Sequence, residues 1–553
     1  MQMIVDQVEG CSRLTFDGLD TDKLGKPALL LPLLWTCHNL RDVVYDRLCS
    51  HYDHHLNADT RNLFVCWPGW PPGLNKCSHA AHGLVRRLTL TLDMQSIFSG
   101  KALRLLSCEP FGNDLFPKTR VVKFDLFLYE ADIDQQVGAA FRLAYAETNI
   151  CAFVQRIKQL APMVSEVIVK PQFEAFVPEE NTAHLFSNLI SQLFQLASRA
   201  GYEAIGPYIP MTLQLETLPN LARITYDDEF YGRDVDGQFV RMVRQSAQTL
   251  QYLVIRARDI EDALGLVQDD DGRYIEYPCL VTLKLEQREF FSTVPLPVTS
   301  GAIPFPSLRH LSIDDFYPFG DDTPFRGNAA TLEYLHIMPT SETCDILRQF
   351  NVFTPTSHPK LQCVRTCEPH KYSIFDVQPT DGLVQFALSI APNAAIRDIG
   401  IPGTVGSTFH ALDVLKNHAC IQVLVLSGME LPLWLVVSLI EWLPLLSDLH
   451  CWAAGSEPLD KDASPDEILA YTQSLNGVTN ERFQCWRLTI GNSHYCKTPV
   501  VCALAVASIC PNFTHIAFPN DNHNRFMAVL EETIKSGKYK QFEPRLRRLL
   551  FKK

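Results

Sequence analysis

The sequence predicts an α/β solenoid, in which short parallel strands form a curved sheet inside and helices lie outside. Two observations predict this fold. The phrase Pro-x-φ-x-x-φ-x-φ, where φ is an apolar residue, recurs along most of the 553 residues, and segments with apolar residues three and four apart lie between its copies. Regular self-similarity at tens of residues indicates a stacked array, in which each unit buries its apolar face only against its neighbours.

The copies of the phrase place the strands. Complete copies begin at Pro162, Pro219, Pro278, Pro306, Pro444 and Pro511. Copies without the proline begin at Val85, Leu250, Leu332, Ile396, Ile421 and Phe483, and a shortened copy begins at Pro359. From residue 221 to residue 446 the first apolar positions lie 24 to 35 residues apart, which is the spacing of leucine-rich repeats, stretched in places.

The segments between the phrases are predicted as helices, for example 149–160, 183–200 and 434–443. A proline cannot continue a helix and favours extended geometry in the residue before it, so each proline ends an outer helix and starts the next inner strand. Residues 170–182, 258–276 and 314–328 lack either pattern. We interpret them as insertions on the rim of the solenoid.

Composition limits the classes of function. Hydrophobic residues make up 46% and charged residues 20%, which is typical of a packed chain, and the net charge of −13 argues against a general nucleic-acid binder. Most of the seventeen cysteines lie in apolar phrases, which predicts buried free thiols in a reducing compartment; examples are Cys279, Cys420, Cys451, Cys485 and Cys510. No apolar run is long enough to span a bilayer, and no signal peptide is expected, so the predicted location is cytoplasmic or nuclear.

The N-terminal region has a different pattern. Residues 29–48 are rich in leucine and contain a helical phrase whose anchor positions are Leu33 or Leu34, Cys37, Leu40, Arg41, Val43 and Val44. This phrase resembles the second half of an F-box, with Leu40 where an aromatic residue is usual. Followed by the repeats, it resembles divergent fungal F-box/leucine-rich-repeat proteins. The predicted domains are an F-box-like helical segment over 1–57 and a leucine-rich-repeat solenoid over 58–553, with irregular insertions and a basic C-terminal tail.

The resemblance implies a partner and a function. A protein of this family is the substrate-recognition subunit of a Skp–cullin–F-box ubiquitin ligase, so the resemblance implies that Leu34, Cys37, Leu40 and Val44 bind a Skp-type adaptor. The concave face of the solenoid would then hold an unknown protein substrate. The alternative is a leucine-rich-repeat scaffold with a vestigial F-box and no ligase role.

The sequence contains no catalytic motif, since it lacks a Gly-x-Ser-x-Gly elbow, a P-loop and the kinase signatures. We therefore predict that the protein is not an enzyme and that it binds no cofactor. A third alternative is a metalloprotein or hydrolase that uses a histidine and cysteine cluster near residues 51–82: His51, His54, His55, Cys66, Cys77, His79 and His82. The spacing of this cluster matches no zinc family, so polar loop residues are the preferred interpretation.

Recognition is expected in the residues that lie between the apolar positions of each strand, because alternate side chains of a strand point to opposite faces. Tyrosine, tryptophan and arginine are frequent there, and these residue types dominate binding hot spots. The predicted partner-binding residues are Arg223, Tyr252, Arg256, Lys284, His310, Asp314, Tyr334, His336, His450, Trp452 and Arg487.

The C-terminal tail reverses the charge of the chain. Residues 535–553 contain eight lysines or arginines and a single acidic residue, Glu543. A basic and apolar tail could contact a membrane surface or an acidic partner, or act as a nuclear-import signal. The preferred interpretation is a tail that caps the open end of the last repeat.

Overall fold

The computed structural model describes residues 54–57, 65–66, 85–107, 116–128, 139–173, 180–205, 221–227, 238–257, 275–287, 305–314, 331–338, 358–365, 397–402, 415–416, 420–431, 433–453, 470, 487–490, 515–517, 531–532 and 534–537. Contacts between residues divide the chain into two units, Met1–Leu308 and Arg309–Lys553.

Parallel strands form the sheet of the first unit. Its strands are β1 His54–Asn57, β2 Val65–Cys66, β3 Arg87–Asp93, β4 Val121–Leu128, β5 Glu166–Phe173, β6 Arg199–Ile205, β7 Leu221–Asp227, β8 Tyr252–Ala257 and β9 Thr282–Gln287. From β3 to β9 each strand pairs in parallel with the next strand of the chain. β1 pairs in parallel with β3, and β2 pairs antiparallel with β1.

The second unit repeats this arrangement. Its strands are β10 His310–Asp314, β11 Tyr334–Met338, β12 Cys363–Arg365, β13 Asp398–Pro402, β14 Val423–Leu431, β15 Asp448–Ala453, β16 Arg487–Ile490 and β17 His515–Ala517. Each strand again pairs in parallel with the next.

The apolar positions of the repeated phrase form the core of each unit. In the second unit the middle apolar position aligns from strand to strand as Leu311, Leu335, Val364, Ile399, Leu424 and Leu449. All six side chains are 2% exposed or less. In the first unit Ile224, Leu253 and Leu283 align in the same way and are fully buried. The prediction of a parallel leucine-rich array is confirmed.

Helices cover the apolar face of the sheet. They are α1 Met94–Phe98, α2 Lys101–Ser107, α3 Ala139–Leu160, α4 Glu180–Phe194, α5 Gln238–Gln245 and α6 Leu433–Trp442. In α3 the buried residues Ile150, Phe153 and Ile157 follow helical spacing. The Phe153 ring meets the ring of Phe124 on β4 edge-on, with centroids 6.4 Å apart, which fixes α3 against the sheet.

The structure corrects two of the sequence predictions. The helix expected over 183–200 begins at Glu180 and ends at Phe194, and Arg199–Ile205 is a strand. This strand, β6, lies between β5 and β7 and pairs in parallel with both of them. The loop expected over 170–182 is also wrong in part, since β5 extends to Phe173.

Three further observations concern predicted features. His54–Asn57, assigned to the end of the F-box-like segment, forms strand β1, whereas residues 1–53 lie outside the described residues, so the boundary at 57 stays a prediction. Cys151, Cys279, Cys363 and Cys420 are free, and of these four only Cys363 is buried, so burial of Cys279 and Cys420 was wrongly predicted. None of the described helices is long and apolar enough to cross a membrane.

Candidate protein-binding face

The candidate site is the face of the sheet that points away from the helices. In the first unit the residues next to the apolar positions align across seven strands as one cross-strand row: Thr89, Lys123, Ile168, Gly201, Arg223, Tyr252 and Thr282. Each of them is one position away from a buried core residue, so strand geometry puts its side chain on the opposite face. Several polar side chains therefore lie within reach of one another on adjacent strands.

A carboxylate between two cations holds the centre of this face. The Lys123 ammonium lies 2.7 Å from Oε2 of Glu203, and Nε of Arg223 lies 3.3 Å from Oε1 of the same residue. The three side chains are only 17%, 12% and 8% exposed for Lys123, Arg223 and Glu203 respectively. Because water screens these charges little, the carboxylate is needed to offset the burial of both cations.

Gly201 makes the close approach of these strands possible. A Cβ at Gly201 would lie 3.2 Å from Cβ of Arg223 and 3.3 Å from Cγ1 of Ile168, which is tighter than ordinary contact. The register shifts at the same place, between Ala200 and Gly201. Because Gly201 has no side chain, the neighbouring strand has room for Arg223, and the Arg223 side chain reaches Glu203.

The Arg223 guanidinium also contacts an aromatic ring. Its central carbon lies 3.8 Å from the centroid of the Tyr252 ring on β8, which is cation–π geometry. Tyr252 itself is half-buried. The arginine therefore joins the ion pair on one side to an accessible tyrosine on the other, and it fixes the orientation of the ring.

A second polar cluster lies on the second unit and consists of His310, Tyr334, Arg365 and Asp398. Arg365 contacts Asp398 through two bonds, Nη2 to Oδ2 at 2.8 Å and Nε to Oδ1 at 3.3 Å. Burial alone would lower the pKa of Arg365. The Asp398 carboxylate raises this pKa, as do Tyr334 and Cys363, and together they place it well above its ordinary value. The paired arginine therefore stays charged at every pH at which the protein folds.

Ring stacking and a hydrogen bond order the rest of the second cluster. The His310 ring stacks on Tyr334 with centroids 6.1 Å apart and ring planes 19° apart. Beside it, Oγ of Ser312 and Nδ1 of His336 are 3.0 Å apart and share a hydrogen bond. Both rings of the stacked pair are half-buried, so part of each is accessible to a partner.

The structure places the predicted partner-binding residues in three groups. Tyr252, His310 and Tyr334 are half-buried, and Arg223 lies against the Tyr252 ring of its own unit and in its ion pair with Glu203. Lys284 and His336 are buried, at 8% and 4% exposure, so they support the face from within. Five residues lie on described strands, but their side chains fall outside the described part: Arg256, Asp314, His450, Trp452 and Arg487. Binding by all of these residues stays a prediction.

The predicted adaptor-binding residues Leu34, Cys37, Leu40 and Val44 lie outside the described residues, and so does the basic tail from residue 538 onward. Within the described ranges no group of three or more His, Cys, Asp or Glu residues is placed to hold a metal. Of the histidine and cysteine cluster, His55 on β1 lies opposite Cys66 on β2 in the backbone register. The remaining members, apart from His54, are outside the described ranges.

Sequence reasoning missed four residues that organise the face: Lys123, Glu203, Arg365 and Asp398. Lys123 was missed because β4 has Thr119 where other repeats have their first apolar residue, so its copy of the phrase was hidden. Glu203 was missed because its strand was predicted as helix. Arg365 and Asp398 flank apolar positions of recognised copies, and opposite charges at such positions on consecutive repeats are a signal that could have found them.

The described residues give each unit a face with the features of a binding surface. The buried charged groups described there form ion pairs, and the half-buried groups include aromatic rings in contact with a guanidinium or with another ring. Fixed aromatic side chains lose little conformational entropy when a partner binds, which favours their use as anchors. The strands, their registers and their buried apolar positions together form a parallel array of leucine-rich repeats.

Comparison with known proteins finds a likeness in structure and none in sequence. The sequence matches no known protein family and no curated protein. It is similar in structure to an internalin from Listeria monocytogenes, with a TM-score of 0.30 and 11% sequence identity over 61% of this chain and 75% of the internalin. The leucine-rich-repeat fold of this chain rests on its own strands and registers.

Proposed function

We propose that this chain is a protein-recognition module, and that two faces bind protein partners: one around Tyr252 on the first unit and one around His310 and Tyr334 on the second. The observation that carries the proposal is the presence, on each unit, of half-buried aromatic rings together with buried ion pairs. Aromatic anchors surrounded by well-packed polar groups are typical of interface hot spots.

The finer proposal is that the chain is the substrate-recognition subunit of a Skp–cullin–F-box type ubiquitin ligase in the cytoplasm or nucleus. The F-box-like segment over 1–57 would bind the adaptor through Leu34, Cys37, Leu40 and Val44, and the repeats would hold the substrate. Such a receptor acts by bringing the substrate close to a separate enzyme, so it requires no catalytic residue of its own. The resemblance of residues 29–48 to an F-box supports this proposal.

Co-precipitation of the full chain with a Skp-type adaptor tests the ligase role. The intact chain is expected to capture the adaptor, and Leu34→Ala combined with Leu40→Ala is expected to abolish capture. Leu445→Ala is the matched control, because this leucine is 50% exposed and lies in the repeats. Failure of the intact chain to capture the adaptor would overturn the ligase role.

The second candidate is a leucine-rich-repeat scaffold with a vestigial F-box. It is favoured by Leu40 at the position where an aromatic residue is usual. The two candidates differ in one measurable respect, since the scaffold binds its protein partner through the repeats but does not bind the adaptor. Partner capture that survives the double leucine substitution, without adaptor capture by the intact chain, identifies the scaffold.

A further inference from the structure

A small basic pocket lies on the first unit, at the edge where the strands begin. Its volume is about 250 Å³, and it is lined by Arg86, Pro117, Lys118, Arg120 and Met163. Three of these five residues are cations and none is acidic. Pockets for drug-sized ligands have volumes of roughly 300–1,000 Å³. This smaller pocket has room for one functional group and its flanking atoms.

The cations of this pocket have no acidic partner among the residues that the structure describes. Arg86, Lys118 and Arg120 are exposed, and none of them forms an ion pair within the described ranges. The whole chain carries a net charge of −13, so a local group of three positive charges without a carboxylate is unusual for this surface. Such a group produces a positive potential that attracts an anion.

The backbone forces two of the cations to be neighbours. The N–H groups of Arg120 and Val121 both donate to the carbonyl oxygen of Arg86, at 2.8 and 3.1 Å. Arg86 and Arg120 therefore occupy the same place in consecutive repeats, about 4.8 Å apart in the direction of strand pairing. Like charges at neighbouring positions of a sheet destabilise it, so folding alone does not favour this pair.

The second unit has an arginine in the same place with a different neighbour. The N–H of Glu333 donates to the carbonyl oxygen of Arg309 at 2.9 Å, and Nη1 of Arg309 lies 3.9 Å from Oε1 of Glu333. There the arginine faces an acidic residue of the next repeat. In the first unit the residues at this place in the next two repeats are Arg120 and Ser165, and neither is acidic. The positive charges of Arg86 and Arg120 therefore stay available for a ligand.

The pocket is firmly built. Thr119 is fully buried, and its Oγ1 donates to the carbonyl oxygen of Val85 at 2.8 Å. Phe116 is also buried, and its N–H donates to the carbonyl oxygen of Leu160 at 2.8 Å. These bonds hold the turn that carries Pro117 and Lys118 on both sides, so the cations are placed before a ligand arrives.

We propose that this pocket binds a phosphate monoester carried on a protein partner. Two guanidinium groups and an ammonium match a dianionic phosphate better than a singly charged carboxylate, because three positive charges attract two negative charges more strongly than one and a phosphate offers more oxygens to the N–H donors. Met163 is 58% exposed beside the cations and, with Pro117, offers an apolar wall to a side chain that flanks the phosphate. This wall favours a phosphopeptide as the source of the anion. The inference goes beyond the proposed function and is independent of any adaptor.

The test measures binding of the full chain to a fluorescent pool of degenerate phosphoserine peptides, with the unphosphorylated pool beside it. The phosphorylated pool is expected to bind at least about tenfold more tightly, which is the effect of one or two charge-assisted hydrogen bonds. Inorganic phosphate is expected to compete with the peptides. Equal binding of the two pools overturns the proposal.

Substitutions separate the pocket from the rest of the surface. Arg120→Glu is expected to abolish the preference for phosphate and to keep the fold, because it places a carboxylate beside Arg86 as in the Arg309 and Glu333 pair. Lys118→Gln, on an exposed turn, is expected to weaken binding severalfold. Arg309→Gln is the matched control and is expected to bind like the wild type.

Two outcomes contradict the proposal at this stage. One is a folded Arg120→Glu chain that keeps the preference for phosphopeptides, which would place the binding site elsewhere. The other is tighter binding to vesicles that contain phosphoinositide than to the phosphopeptide pool, which would identify a lipid headgroup as the ligand. Loss of adaptor capture in the experiment described above would leave these results unchanged, so the two proposals fail separately.

Discussion

At the scale of single residues, Glu203 is the residue on which the face of the first unit depends. It is the carboxylate that contacts both Lys123 and Arg223, and its side chain is 8% exposed. If its charge were removed, two poorly hydrated cations would face each other. The orientation of Arg223, and with it the contact with Tyr252, depends on the same carboxylate.

We expect Glu203→Gln to lower the free energy of unfolding by about 3 kcal/mol, because removing one partner leaves buried charges without compensation. The urea midpoint of the unfolding transition measures this change. Glu147→Gln is the control, since Glu147 pairs with His184 at 3.2 Å on an exposed surface and should change stability by at most about 0.5 kcal/mol. Equal effects of the two substitutions would show that the Glu203 network is not a buried charge cluster.

Tyr202 on β6 gives a second prediction at this scale. Its side chain is fully buried, and among the described residues its hydroxyl has no hydrogen-bond partner. Burial raises its pKa above the ordinary value of 10.0. Above about pH 10 the unfolded chain releases this proton and the folded chain keeps it, so stability falls as pH rises through this range.

We expect Tyr202→Phe to stabilise the protein by about 1 kcal/mol at neutral pH, because it removes a buried hydroxyl that is not satisfied. The difference in stability between Tyr202→Phe and the wild type should grow above about pH 10, because the unfolded wild-type chain then releases the Tyr202 proton and the folded chain does not. Urea midpoints at neutral and alkaline pH measure both effects. Tyr145→Phe, at a tyrosine that is 53% exposed, should leave both midpoints unchanged. A less stable Tyr202→Phe chain would reveal a partner for the hydroxyl.

At the scale of elements, β4 departs from the repeat in an instructive way. Its first apolar position is taken by Thr119, which is fully buried and bonded through Oγ1 to the carbonyl oxygen of Val85 in the preceding repeat. A hydrogen bond between repeats thus replaces an apolar contact. The same bond holds one side of the turn that carries Lys118.

We expect Thr119→Val to cost about 1 kcal/mol, since it keeps the shape of the side chain and leaves the Val85 carbonyl without its donor. Thr148→Val is the matched control, because the Thr148 hydroxyl donates to the carbonyl of Ala144 on an exposed helix surface. Its expected effect is at most about 0.5 kcal/mol. Urea unfolding compares the two chains, and a neutral Thr119→Val would contradict the role given to this bond.

The sequence was sufficient to predict the elements that follow the apolar period. Leu253, Leu283 and Leu335 were assigned to the core correctly, because a buried position in a parallel array tolerates few residue types. β6 could not be predicted in the same way, since its core positions are Ala200 and Tyr202 and its Gly201 has no pattern of its own. The pair of Lys123 and Glu203 joins strands two apart in the sheet, and only the folded register brings these residues together.

At the scale of the whole molecule, each unit carries a face of its own with the same design. In the first unit a carboxylate between two cations orients Tyr252, and in the second the pair of Arg365 and Asp398 lies beside the stacked His310 and Tyr334. The buried pairs fix the geometry, and the half-buried rings remain accessible. This division of roles agrees with a surface that recognises another protein.

The most direct test of the central claim compares the proteins captured by the full chain with those captured by Tyr252→Ala and by Tyr334→Ala. Tyr145→Ala, which replaces an exposed tyrosine on a helix, is the control. The account predicts that a partner retained by the wild type and the control is lost, or bound at least about tenfold more weakly, by one or both face variants. Equal capture of every partner by all four folded chains would contradict it.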